Sequence, residues 1–91
     1  MSNSGGAGHG RITYSPVGSG EELVFPGLGY ASVRSALVGV WGAFPIRLSA
    51  AKGHCGILRA MGSAVGKDCA LAYVILADRL EKWGEMELRD G

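Results

Sequence analysis

The sequence predicts an α+β fold in which one antiparallel sheet carries two helices on one face. Three observations point there. Two long stretches repeat apolar residues every three or four positions, the period of an amphipathic helix. Several short runs instead alternate or concentrate β-forming residues and are bounded by glycine and proline. The chain has 91 residues, 47% of them apolar, which is enough for one thin core and too little for two.

Residues 1–10 hold four glycines and no bulky apolar side chain after Met1, so a loosely held arm is expected there, with residues 11–91 as the single domain. His9 lies in this arm without a second metal-ligand candidate beside it. Residues 11–17 (RITYSPV) and 21–25 (EELVF) read as strands, separated by Gly18-Ser19-Gly20 and closed by Pro26-Gly27. Residues 29–42 read as the first helix. Tyr30, Val33, Leu37, Val40, Trp41 and Phe44 share one stripe, and Gly42 and Pro45 stop it. Residues 46–50 alternate and residues 56–61 continue the pattern less cleanly. Lys52-Gly53-His54 between them suggests a β-hairpin. Residues 63–83 form the clearest helix, with Val65, Cys69, Ala72, Tyr73, Leu76, Leu80 and Trp83 on its buried stripe. Ser63 is its expected N-cap and Gly84 its closing glycine. Residues 85–90 (EMELRD) alternate as a last strand.

From residues 21–25 onward the order is strand, helix, strand, strand, helix, strand, the split βαβ, or ferredoxin-like, arrangement. One sheet face packs the helices. The other is left for a partner.

The formal net charge is +1, but its distribution is uneven. Residues 23–67 contain no acid and five bases, whereas residues 68–91 hold six acids and three bases. Arg47, Lys52, His54 and Arg59, on or beside the expected hairpin, are therefore the candidates for RNA phosphate contact. No aromatic stacking platform accompanies them, which disfavours an RNA-recognition-motif domain of the same topology. Sixteen glycines punctuate the chain, but none forms a phosphate-binding loop. Two cysteines, Cys55 and Cys69, are too few for a disulfide framework or a metal centre. His54 and Cys55 are adjacent, and on extended backbone they point to opposite faces, so they do not make a nucleophile and base. No catalytic residue, metal site or cofactor is expected. The polar N-terminus does not read as a signal peptide, and no uncharged run reaches the length of a membrane span.

Two segments carry a family resemblance. Residues 35–44 (SALVGVWGAF) read as a helix ending in aromatic-glycine before a strand. Ile57-Leu58-Arg59 reads as a strand ending in Leu-Arg, followed by Ser63 and a long apolar helix with Lys67 in its first turns. Together, over residues 29–90, they resemble the small ferredoxin-like protein subunits of eukaryotic and archaeal ribonuclease P and RNase MRP, in particular the short, fourteen-kilodalton-type paralogue. The resemblance implies a non-catalytic subunit of a ribonucleoprotein that removes the 5′ leader of precursor tRNA, with RNA supplying the catalytic centre. It further implies a nuclear, nucleolar protein that pairs with a paralogous ferredoxin-like subunit and docks on larger protein subunits. Direct contact with the catalytic RNA stays open. The first helix is the expected partner face, through Tyr30, Arg34, Val38 and Ala43, because residues 30–44 are too apolar for a solvated element.

Two other readings compete. A ferredoxin-like regulatory or small-molecule-binding module, in the style of ACT domains, would use the glycine-rich residues 26–29. A small enzyme would use Cys55, and would require a depressed thiol pKa.

Overall fold

A computed structural model describes residues 9–16, 20–26 and 29–90. Strands β1 (His9–Ser15) and β2 (Glu21–Pro26) come first, followed by helix α1 (Gly29–Trp41) and strand β3 (Ile46–Ser49). A single 3₁₀ turn (Ala50–Lys52) leads into helix α2 (His54–Ser63), then α3 (Lys67–Trp83) and strand β4 (Glu85–Asp90). The strands form one sheet in the order β2-β1-β4-β3, and every neighbouring pair is antiparallel. The class is α+β, and helices packed on one face of a four-stranded antiparallel sheet make a ferredoxin-like arrangement.

Alternation decides which face is covered. Ile12 and Tyr14 of β1, Ile46 and Leu48 of β3, and Met86 and Leu88 of β4 are all buried. They meet Val33 and Leu37 of α1, Leu58 of α2, and Tyr73, Leu76 and Leu80 of α3 in one core. Trp41 and Trp83 pack against its rim. Strand β4 coincides with the expected residues 85–90, and α1 ends one residue before the expected stop.

The hairpin expected over residues 46–50 and 56–61 is not formed. Residues 46–49 are a strand, but residues 54–63 are helix α2, so three helices cover the sheet instead of two. Gly53, at φ 80°, provides the reversal. That left-handed conformation is natural for glycine, and here it ends the 3₁₀ turn and admits a helix rather than a returning strand. The long helix consequently starts later than expected. Ser63 is the last residue of α2, where its Oγ donates to the Arg59 carbonyl at 3.1 Å, and Gly66 takes the N-cap of α3. Gly84 closes α3 as expected: its φ is 86° and its N–H donates to the Leu80 carbonyl at 2.7 Å. Residues 1–8 of the expected arm lie outside the described residues, as do residues 17–19 and 27–28 of the expected turns. His9 and Gly10 belong to β1.

Ionic clamps fasten the helices to the strands. Arg34 of α1 donates from Nε and Nη2 to the Asp90 carboxylate of β4 at 2.9 and 2.7 Å, and the Tyr30 hydroxyl donates to the same group at 2.8 Å. Arg79 of α3 and the Tyr14 hydroxyl both donate to Glu21 of β2, at 3.3 and 2.8 Å. No helix among the described residues is long and apolar enough to cross a membrane.

Candidate functional site

The four basic candidates are placed in three different settings. Arg59, on α2, donates through Nη2 to Asp78 at 3.1 Å and to Glu81 at 2.8 Å, so it bolts α2 to α3. Those two carboxylates, Asp78 first, hold its guanidinium more firmly protonated. His54 is half-buried at the start of α2. Its Nδ1 accepts the Ser49 backbone N–H at 3.0 Å, and its ring meets Trp41 edge-on at 5.4 Å between centroids. Both residues thus serve the fold. Arg47 of β3 points away from the helices with 86% of its side chain exposed, 3.5 Å from Glu87. Lys52 is exposed in the 3₁₀ turn, and it lines an open groove of about 490 Å³ together with Arg47, Ser49, Glu85 and Glu87. Only Arg47 and Lys52 are therefore brought together.

Among the described side chains, those of the outward sheet face are largely charged and balanced. Arg11, Arg47 and Arg89 stand there against Glu22, Glu85 and Glu87, placed by the alternation that buries Ile12, Leu48 and Met86. Arg11 pairs with Glu22 at 3.4 Å, and Arg89 with Glu87 at 2.8 Å. The hydrogen bond from Arg89, aided by Arg47, holds the Glu87 carboxyl below the usual carboxylate range. A second open trough of about 650 Å³ runs over Thr13, Ser15, Glu22, Glu87 and Arg89. A surface with as many acids as bases offers a phosphate backbone little net attraction. Its troughs are open and partly charged, unlike the enclosed, mostly apolar pockets that hold small molecules.

The expected partner residues of α1 are likewise divided. Tyr30 and Arg34 turn to Asp90, and the Arg34 guanidinium also lies over the Phe44 ring, 5.1 Å from its centroid. Burial, followed by the bond to Asp90, pushes the Tyr30 phenol up, while Arg34 pulls the Asp90 carboxyl down. Val38 is half-buried, and Ala43 is exposed.

Cys55 and Cys69 are free, half-buried thiols. Burial, then the charge of Glu81, pushes the Cys55 thiol up, the reverse of what a nucleophile needs. Its neighbour His54 already spends Nδ1 on Ser49. Among the described residues no group of three or more His, Cys, Asp or Glu is placed to hold a metal ion.

The structure draws attention to a different set. Among the described side chains, five large apolar ones are exposed: Val40 of α1, Ile57 of α2, Val65 in the α2–α3 turn, and Leu71 and Val74 of α3. All five lie in the helical layer, and Leu71 is 63% exposed. The α3 pattern contained this signal. Its core stripe is complete without Leu71 and Val74, so these two are apolar residues on the wrong face for the core.

Comparison of the chain with protein-family models, curated proteins and solved structures gives no match.

Proposed function

We propose that this chain is a non-catalytic protein-binding module whose contact surface is the outside of its helical layer. One observation carries the reading. Outside residues 23–26, every exposed large apolar side chain among the described residues sits on that layer, while most of the charges on the outward sheet face are paired with one another. Water is excluded at small cost from such apolar side chains when a partner covers them. Displacing water from the sheet face would instead strip hydration from charges already satisfied.

The specific form suggested by the sequence is a scaffolding subunit of a ribonuclease P/MRP-type ribonucleoprotein that acts through a paralogous subunit. Its support is residues 35–41, the last part of α1, which ends at Trp41 before Gly42 and strand β3. Ile57-Leu58-Arg59 is helical rather than the end of a strand and gives no support. Co-purification with a structured RNA would uphold this form; recovery with proteins alone would restrict the reading to protein binding.

Site-specific photo-crosslinking tests the module itself. A photoreactive side chain in place of Leu71 should yield a discrete protein adduct in cells, and the same group in place of Thr13 should not. Adducts at Thr13 alone, or at neither position, overturn the proposal.

A further inference from the structure

The outermost stripe of α3 has an order that suits one particular partner. Lys67, Leu71, Val74, Asp78 and Glu81 are all exposed and follow one another at spacings of four, three, four and three. That alternation is the seam of a two-helix coiled coil, where such positions face a second helix. Along the seam a cation comes first, two apolar residues follow, and two carboxylates end it. Lys67 lies one helical turn before Leu71, and Asp78 lies one turn after Val74. The stripe is therefore charge-reversed about the midpoint between Leu71 and Val74.

Such a stripe is complementary to itself when the second helix runs antiparallel. A single twofold axis through that midpoint sets Leu71 against Val74 of the other copy, and in the same register sets Lys67 against Asp78. The Lys67–Asp78 salt link and the Leu71–Val74 contact then each form twice, as an isologous interface requires. A parallel arrangement would place Lys67 beside Lys67 and Asp78 beside Asp78. The electrostatics of the single chain leave room for the link. Lys67 makes no ion pair among the described residues, whereas Asp78 and Glu81 share the one guanidinium of Arg59 and keep a surplus negative charge.

We infer that α3 docks on α3 of a second copy of this chain, antiparallel, about the Leu71–Val74 midpoint. The inference rests on the helical layer being the contact surface and names the partner as self. Sedimentation equilibrium at high micromolar concentration should give a dimer. Lys67→Asp and Asp78→Lys, each alone, put like charges together twice and should weaken self-association about tenfold or more. Mixing the two variants makes every charged pair opposite again and should restore a dimer containing one of each. A monomeric wild-type chain, reversals without effect, or a mixture no tighter than either variant would overturn the inference. Asp78→Lys also touches the Arg59 bridge, so circular dichroism must show an intact fold. Should it not, Leu71→Ser, which touches no ion pair, replaces it and must release the dimer. A wild-type monomer that still crosslinks to a different protein from position 71 would end the self-association and leave the module standing.

Discussion

The two outer faces of this small domain handle solvent in opposite ways. On the sheet, Arg11, Arg47 and Arg89 stand among Glu22, Glu85 and Glu87, and most of that charge is spent locally. On the helices, charge is used for fastening: Arg34 to Asp90, Arg59 to Asp78 and Glu81, Arg79 to Glu21. What remains outermost on the helices is largely small or apolar. An uncovered sheet face is thus not by itself an apolar one. The sheet's outer face is bare of helices here, yet most of its charges are already paired with one another.

Mutations can break or sharpen that contrast. The largest effect belongs between the faces: Leu76→Ala removes a fully buried side chain and should cost about 2–5 kcal/mol in a urea melt. A second prediction concerns the clamp on α1. Arg34 holds the Asp90 carboxyl below its usual range, so the stabilisation it reports is present above the unfolded carboxyl's pKa near ~4. It is lost as the pH falls through the lower folded value. Asp90→Asn, at a partly exposed surface pair, should cost at most about 1 kcal/mol at neutral pH and should remove this component of the acid transition. Urea melts from neutral to strongly acid pH would show both, and an unchanged acid limb would count against the clamp. On the sheet face, Glu87→Gln releases both Arg47 and Arg89. Its effect should be smaller still and should close as salt is added, because exposed pairs are screened. The smallest effect is expected at Leu71→Ser, within about 0.5 kcal/mol. If Leu71→Ser destabilised the chain as much as Leu76→Ala does, the helical face would not be an outer face at all.

Legibility in the sequence followed the period of each segment. Residues 85–90 alternate cleanly, and β4 is found there without displacement. Residues 54–63 carry a helical spacing through Cys55, Leu58 and Met61 or Gly62, but two glycines and the β-like Ile57-Leu58 obscure it. Gly62 is there for a tertiary reason. A Cβ at that position would come within 3.1 Å of the Tyr73 Cβ, so α2 and α3 can approach closely only because it is absent. Nothing local announces that contact. The same holds for the basic candidates: Arg59 looks available until α3 brings Asp78 and Glu81 to it, 19 and 22 residues on. Leu71 and Val74 could be read as outward-facing once the core stripe of α3 was full, but whether a neighbouring element would cover them depends on the packing of all three helices.

The bond from the Ser49 amide to His54 has a consequence for assembly. The Ala50 N–H reaches the Gly84 carbonyl at 2.8 Å, so the amides of Ile46 and Leu48 also face β4, and those of Arg47 and Ser49 face away from the sheet. The imidazole takes the Ser49 amide, leaving Arg47 alone to present an outward donor on a four-residue strand. A ribbon that grows strand by strand needs two receptive ends. With β3 stoppered by a histidine, β2 is the remaining edge, and an object with one sticky end can pair but cannot polymerise through its sheet.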